Sequence, residues 1–341
     1  MKATALLALL FSFVANAANY SARQATVDTV DVVILADAAR KTEVTIVPSI
    51  GNMGYEFKVN GKNILYVPEG GLASFKARPR LSGIPFLSPW ANRLDPASFY
   101  ANGKQYVFNM GLGNVRGKIP SAGFLSFSNA WKVVESKADG KSAWVTSRLE
   151  FWKYPDMMAQ FPFAHTIEMT YRLQEGVLQV ETVLRNQSAE PLPVSIGFHP
   201  YLRLAESPRD NWSIHVPVRT HWVVDSNKVP TGKTEPAGLP DSLPLKGRTF
   251  DDDYTDLVRG ADGKAEFWMR GEKEKLSVMF GPKYSVCVLW VPAGSNFLCF
   301  EPMAAMVNAM NMAQTGVYKE LQSVPPGGEW RESFWVRPTG F

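Results

Sequence analysis

Residues 166–184 read TIEMTYRLQEGVLQVETVL, and this stretch decides the fold class. Apolar and polar side chains alternate over residues 166–173, residues 174–176 (QEG) form a turn, and a second apolar stretch returns over residues 177–184. Alternation places successive side chains on opposite faces of a strand. A short connection that contains glycine joins two such strands into a hairpin. The stretch therefore predicts two antiparallel strands with one buried face.

The same kind of pattern continues on both sides of this hairpin. Residues 55–59 (YEFKV) alternate and run into Asn60-Gly61, a strong signal for a tight turn between strands. Further strands are predicted at residues 212–224, 276–280, 286–291 and 297–300. Helical periodicity is confined to residues 311–321. Loops are predicted at the proline-rich residues 229–244 and 324–328, and a loosely structured lead is predicted at residues 18–31.

Turn signals recur along the whole chain, without a linker, a repeat or a low-complexity tract between them. Its 341 residues are enough for a large core. We therefore predict a single all-β domain over residues 18–341, built as a large antiparallel β-sandwich.

The charge pattern argues against nucleic acid as a partner. The chain has 36 basic and 32 acidic residues, a net charge of +4, and no run of five or more Lys and Arg. A nucleic-acid surface needs a concentrated basic patch, which this pattern does not supply. We expect a monomer that acts on a small molecule.

The N-terminus has the features of a secretory signal. Lys2 supplies a positive start, residues 5–15 are mostly apolar, and Ala15-Asn16-Ala17 fits a small-x-small cleavage site. We predict a signal peptide over residues 1–17 and a periplasmic or secreted protein. An uncleaved anchor is the alternative. No later segment approaches about eighteen consecutive apolar residues, so we expect no membrane association after cleavage.

The two cysteines, Cys287 and Cys299, lie in apolar runs on either side of residues 292–296 (PAGSN). A hairpin centred on Ala293 would place them opposite each other, and an oxidising compartment would permit a disulfide. We favour two buried free thiols, because cross-strand disulfides are often strained. Neither cysteine has a partner at zinc-ligand spacing.

Two short motifs could carry chemistry in the first two thirds of the chain. Residues 83–93 (GIPFLSPWANR) form a proline-stiffened loop that ends in Asn92 and Arg93, which could hold hydroxyl groups or be an ordinary structural loop. Residues 197–201 (GFHPY) hold His199 where the proline restricts the backbone. A histidine can exchange a proton near neutrality, although a structural role is also open for it and is expected for His165, His215 and His221.

Two further motifs contain acids. Residues 250–254 (FDDDY) hold three consecutive carboxylates, which could bind calcium or form a solvated turn, but they lack the EF-hand spacing. Residues 297–302 (FLCFEP) close an apolar strand with Glu301. Burying an unpaired acid is costly, so Glu301 is predicted either in solvent at a strand end or in a cleft, where a raised pKa suits a general base.

In this order and at this spacing, the motifs PFLSPWANR, GFHPY, FDDDY and CFEPM resemble those of the aldose 1-epimerase (galactose mutarotase) family. Residues 229–232 (VPTG) and 324–328 (VPPGG) add to the likeness, which spans residues 45–338 or so. Each motif is weak alone, and the set is specific. The resemblance implies a galactose mutarotase-like supersandwich with a sugar cleft on one face.

The resemblance also implies roles. Glu301 would take the proton of the anomeric hydroxyl, and His199 would protonate the ring oxygen, so that the ring opens and closes as the other anomer. Arg93 and Asn92 would bind sugar hydroxyls, as would an acid of residues 251–253, for which Asp251 is our choice. This acid/base chemistry needs no cofactor and no metal.

One position departs from the family pattern. The family usually has a histidine immediately before a glycine, where residues 119–125 here read IPSAGFL with Ala122 in that place. We hypothesise that Arg116 or Lys118 partly replaces its hydrogen bonds. Two other readings stay open: a sugar-binding relative without turnover, and an epimerase of a sugar phosphate that would use Arg78, Arg80 and Arg116.

Overall fold

The computed structural model describes residues 19–341, so the predicted signal peptide lies outside the described residues. Within this range the helices are short: α1 is Gly71–Ala77, α2 is Pro155–Gln160 and α3 is Ala309–Gln314. No helix in the described range has the length and apolar character needed to cross a membrane.

Strands make up most of the remaining regular structure. In chain order they are β1 Tyr20–Val27, β2 Val30–Asp37, β3 Thr42–Val47, β4 Met53–Val59, β5 Lys62–Asn63, β6 Phe86–Leu87, β7 Ser98–Ala101, β8 Lys104–Val107, β9 Lys132–Ala138, β10 Ala143–Glu150, β11 His165–Gln174, β12 Val177–Asn186, β13 Leu192–Val194, β14 Gly197–Phe198, β15 Tyr201–Leu202, β16 Ser213–His215, β17 Thr220–Val224, β18 Pro230–Pro236, β19 Leu243–Pro244, β20 Phe250–Thr255, β21 Ala265–Arg270, β22 Lys275–Phe280, β23 Val286–Val291, β24 Leu298–Met303, β25 Gln322–Val324 and β26 Glu329–Thr339.

Two large antiparallel sheets form a sandwich. The first has nine strands in the order β19-β16-β21-β22-β26-β12-β11-β10-β9, and the second runs β18-β17-β20-β23-β24-β14-β6, with β15 also paired to β24. Their inner faces meet in an aromatic core, where the Phe267 ring lies 5.6 Å from Phe300 and the Phe198 ring lies 4.8 Å from Phe334. A third sheet of five strands, β1 to β5, contributes to the same core through Phe57. The predicted all-β sandwich is confirmed.

The hairpin that decided the fold class is formed as predicted. Strands β11 and β12 pair with Leu173 opposite Leu178, and they lie inside the nine-stranded sheet. Their alternating apolar side chains, Tyr171 and Val180 among them, are buried in the main core. The hairpin predicted at Asn60-Gly61 also forms, between β4 and β5.

The predictions for three regions, two of them irregular and one helical, are wrong in detail. The lead at residues 18–31 forms β1 and the start of β2, and it gave no signal because most of β1 is exposed. The proline-rich residues 229–244 contain β18, which is tolerated because it is the edge strand of its sheet. The helix α3 starts earlier than residue 311 and stops before Gly316.

The strand predicted over residues 212–224 is two strands. β16 belongs to the nine-stranded sheet and β17 to the opposite one, and Pro217 lies between them. A proline cannot donate to a sheet ladder, so the chain leaves one sheet there and joins the other.

The placement of the two cysteines opposite each other by a hairpin centred on Ala293 is wrong. In the register of β23 with β24, Cys287 lies opposite Pro302 and Cys299 lies opposite Trp290. The two thiols therefore point to opposite faces of the sheet. Both are free and buried, as we favoured, and burial raises the pKa of each well above its usual value.

The second sheet brings the sequence motifs together. Residues 83–93 contain β6, GFHPY contains β14, CFEPM lies in β24 and FDDDY lies in β20, and the sheet order is β20-β23-β24-β14-β6. All four motifs thus lie on five neighbouring strands. The loop after β6 is fixed by a bridge between Ser88 and Gly123 and by another between Arg93 and Ser121.

Gly123→Ala is expected to destabilise the fold by at least about 2 kcal/mol more than Gly103→Ala. Both glycines have a positive φ, so each alanine meets the left-handed penalty of about 1–2 kcal/mol. A Cβ at Gly123 would lie 2.1 Å from the Ser88 carbonyl oxygen, whereas at Gly103 it meets open space. Urea denaturation of both variants measures the difference. Equal losses would contradict the close contact of the two loops.

Candidate active site

All five candidate residues line one cavity of about 200 Å³ in the second sheet. They are Asn92, Arg93, His199, Asp251 and Glu301. Leu81, Leu87, Ser121, Ala122, Tyr201 and Trp290 complete the wall. The sequence motifs therefore converge in space as well as in sheet order.

Glu301 lies in the middle of β24, and its side chain is 1% exposed. The alternative that placed Glu301 in solvent at a strand end is wrong. The alternative that placed it in a cleft is the one observed. Its Oε1 lies 3.1 Å from Nε2 of His199, and Oε2 is buried without a hydrogen-bond partner. Burial raises the pKa of Glu301 well above its usual value, and the carboxylates of Asp251 and Asp253 act in the same direction.

His199 follows β14, and its ring is held between two aromatic side chains. It stacks on Tyr201 at 4.7 Å and meets the edge of Trp290 at 5.3 Å. Its Nδ1 is buried without a partner, so Nε2 is the ring nitrogen that contacts another side chain, Glu301. Burial lowers the pKa of His199 to about 3, with a smaller contribution from the positive charge of Arg93.

Arg93 connects the loop after β6 to the acids of β20. Its Nη1 donates to Oδ1 of Asn92 at 2.9 Å, and its Nη2 lies 3.4 Å from Oδ2 of Asp251. Asn92 is buried and has φ of +54°, a conformation that asparagine tolerates better than most residues. The arrangement gives the cavity amide, guanidinium and carboxylate groups, which are suitable partners for hydroxyls.

The three acids of FDDDY separate because they lie on the strand β20, and not in a solvated turn, which was one of the two alternatives. Asp251 and Asp253 face the cavity side, and Asp252 faces the other way, where its Oδ1 lies 3.5 Å from Nε2 of His221. Three carboxylates that alternate in this way cannot converge on one calcium ion, so the calcium alternative is wrong. Asp251 is the acid that reaches the cavity wall, as we chose.

Sequence reasoning missed three residues. Tyr201 and Trp290 form aromatic parts of the wall. Asp253 lies in the same sheet behind the wall, 3% exposed, with Oδ2 unpartnered. Burial raises the pKa of Asp253 to about 8, Arg93 opposes the shift, and the neighbouring Asp251 adds to it. The period-two pattern of a strand would have grouped Asp253 with Asp251.

Ala122 lines the cavity, with φ of +66° and its N–H bonded to the Asn92 carbonyl oxygen at 2.8 Å. The hypothesis that Arg116 or Lys118 takes over hydrogen bonds at this position is not supported. Neither side chain lines the cavity, and Arg116 instead bonds the Gly113 carbonyl oxygen through Nε at 3.2 Å.

Asp253→Asn is expected to remove a pH dependence of stability. The pKa of Asp253 is raised to about 8 in the folded protein, against about 3.9 in the unfolded chain. The contribution of this carboxyl to the free energy of unfolding is therefore largest below about pH 4, and it is lost progressively towards pH 8. Relative to wild type, the variant should gain up to about 4 kcal/mol from about pH 5 to about pH 8, at roughly 1.36 kcal/mol per unit. Urea denaturation at both pH values measures it.

The exposed Asp241 provides the control, since Asp241→Asn should leave the difference between the two pH values unchanged. If Asp253→Asn behaves like this control, Asp253 is not a buried protonated acid.

Comparison with solved structures supports the sandwich. A galactose mutarotase-like protein from Clostridium acetobutylicum superposes with a TM-score of 0.83 at 21% identity, covering 95% of this chain and 99% of that one. The Slr1438 protein of Synechocystis sp. PCC 6803 has a TM-score of 0.73 at 24% identity, with 93% and 98% covered. Galactose 1-epimerase from Lactobacillus acidophilus NCFM has a TM-score of 0.72 at 13% identity, with 95% and 99% covered.

These identities establish the fold and leave the activity open. The family comparison reaches further, because the model of the aldose 1-epimerase family matches residues 35–337. That match covers most of the chain and all of the residues that line the cavity. This chain therefore belongs to the aldose 1-epimerase family.

Proposed function

We propose that this chain is an aldose 1-epimerase, an isomerase that interconverts the α and β anomers of a free hexose. One observation carries the proposal: Glu301 and His199 lie 3.1 Å apart on the wall of a cavity of about 200 Å³. Anomer exchange needs one group that removes a proton from the anomeric hydroxyl and another that delivers a proton to the ring oxygen. A carboxylate beside an imidazole supplies both.

In the proposed reaction, Glu301 takes the proton of the hydroxyl on C1 while the protonated His199 gives its Nε2 proton to the ring oxygen. The bond between C1 and the ring oxygen breaks as the C1 carbonyl forms. Rotation about C1–C2 turns the other face of the aldehyde towards the ring hydroxyl. The reverse proton transfers close the ring and return Glu301 and His199 to their starting states.

Burial of the pair favours ring opening. Ring opening needs the charged form of the pair, with Glu301 as a carboxylate and His199 as an imidazolium, and after ring opening both are neutral. Burial raises the pKa of Glu301 and lowers that of His199, so it disfavours the charged form of each side chain. The proton transfers thus remove a pair of charges from a site where charge is costly.

The remaining wall residues suit a bound sugar. Arg93 and Asn92 present donors, and Asp251 presents an acceptor, at the end of the cavity formed by the loop after β6. Tyr201 and Trp290 present aromatic surface to the faces of the sugar ring. Because Tyr201 and Trp290 also hold the imidazole of His199, they would keep the acid aligned with the ring oxygen.

A sugar-binding relative without turnover is the second candidate. Ala122 in place of the family's histidine favours the sugar-binding relative, because one group that would polarise the sugar ring is missing. The buried pair of Glu301 and His199 argues against it. Binding alone does not require a buried acid that lacks a full set of hydrogen bonds, and such a group destabilises the fold.

A sugar phosphate is a poorer fit to the cavity. Of the basic residues, only Arg93 lines it within the described chain, and Arg93 already faces Asp251. Arg78, Arg80 and Arg116, the candidates for a phosphate site, do not line the cavity. A doubly charged phosphate group would meet Arg93, which already pairs with Asp251, so a sugar without a phosphate is the better substrate.

Glu301→Gln is expected to slow anomer exchange by about 10²–10⁴-fold, because the amide cannot accept the anomeric proton. The measurement is proton NMR of freshly dissolved α-D-glucose and α-D-galactose, with buffer, wild type and variant compared. His199→Asn should show a loss of the same order. Glu69→Gln changes an exposed glutamate and serves as the matched control, with wild-type rates.

Two outcomes would count against the proposal. Wild-type protein that equilibrates no free aldose faster than buffer would favour the sugar-binding relative. Wild-type activity that survives Glu301→Gln would show that another group is the base.

A further inference from the structure

The candidate cavity adjoins a larger groove. The groove has a volume of about 870 Å³, against about 200 Å³ for the cavity, and the two share Leu81, Ser121 and Ala122 as wall residues. The cavity is the smaller of the two spaces, and the catalytic pair lies on its wall. The groove therefore offers further space beside the cavity for a larger ligand.

Ala122 is one of the three wall residues that the cavity and the groove share. It lies at their junction and carries a single methyl group on a backbone with φ of +66°. A larger side chain at this position would stand between the catalytic pair and the groove. Because alanine carries a single methyl group, Ala122 takes up little of the space between the catalytic pair and the groove.

The walls of the groove combine apolar surface with hydrogen-bonding groups. Phe124, Phe127 and Tyr154 supply aromatic rings, and the short helix α2 contributes Met157. Polar side chains between them include Asn114 and Ser128. Sugar rings have the same mixture, with apolar C–H faces and a rim of hydroxyls, and pockets of this kind bind ligands through both.

The charge of the groove favours a neutral occupant. Arg116 and Asp156 both line it, so its formal charges cancel, and Arg116 is exposed and already bonded to the Gly113 carbonyl oxygen. A phosphate or a carboxylate would find no surplus of positive charge there. The Ser128 hydroxyl accepts from the Ala130 N–H at 3.2 Å and keeps its own hydrogen to donate to a hydroxyl group of the occupant.

We propose that the substrate is a neutral reducing oligosaccharide, with its reducing-end ring in the cavity and the next, glycosidically linked ring in the groove. The placement of the reducing end rests on the proposed function, while the groove contacts are independent of turnover. Leu112 lines the groove, and it is 37% exposed. It offers a position where the groove can be filled at little cost to folding.

The test compares disaccharides with the monosaccharide of their own reducing end: maltose, cellobiose and lactose with glucose, and β-1,4-galactobiose with galactose. Isothermal titration calorimetry of the wild-type protein gives the ratio of dissociation constants. We expect at least one disaccharide to bind about ten times more tightly than its monosaccharide. If every disaccharide binds no more tightly than its monosaccharide, the groove does not hold a second ring.

Leu112→Trp is expected to reduce this tenfold ratio to about one, because the indole occupies the groove. Met110→Trp is the matched control: Met110 lies in the same short turn, is 45% exposed and does not line the groove, so the ratio should stay at its wild-type value. Met157→Trp fills the groove from α2 and repeats the test if Leu112→Trp does not fold. Equal ratios in Leu112→Trp and Met110→Trp would overturn the proposal.

Failure of this proposal is distinguishable from failure of the proposed function. Rapid equilibration of glucose, without tighter binding of any disaccharide, would support the epimerase and contradict the second-ring site in the groove. Tighter binding of a disaccharide that Leu112→Trp abolishes, without anomer exchange of any sugar, would support the second-ring site and contradict the epimerase.

Discussion

The contact between Glu301 and His199 is the interaction on which the site depends. A carboxylate that is 1% exposed loses its hydration, and one of its oxygens finds no hydrogen bond in the protein. The imidazole at 3.1 Å is its nearest compensating partner, and it is itself fixed by stacking on Tyr201. Either side chain alone would be a costly buried polar group, whereas together they hold a proton that can pass to and from a ligand.

Strand alternation explains how one sheet serves both the core and the site. Phe198 is buried in the core and the next residue, His199, faces the cavity; Phe300 and Glu301 show the same relation in β24. The core aromatics pack against the nine-stranded sheet, with Phe198 4.8 Å from Phe334. Because consecutive residues point in opposite directions, the packing that stabilises the sandwich also fixes the orientation of the acid and the base.

Much of this was predictable from the sequence, since alternation and turn residues identified the hairpin at residues 166–184 and the antiparallel sandwich. The motif resemblance selected Arg93, His199 and Glu301, which the sheet brings together. Long-range register was not predictable. It places Cys287 and Cys299 on opposite faces, separates Asp252 from its neighbours, and sends β16 and β17 to different sheets. These outcomes depend on pairing between distant strands, which no local pattern records.

The central claim is that the buried pair acts on the anomeric carbon of a sugar in the cavity. The crystal structure of the Glu301→Gln variant with a bound free aldose tests it most directly. We expect the hydroxyl on C1 within hydrogen-bond distance of the residue 301 side chain and the ring oxygen within hydrogen-bond distance of Nε2 of His199, at about 2.7–3.2 Å. A sugar bound with C1 directed away from both side chains would contradict the account.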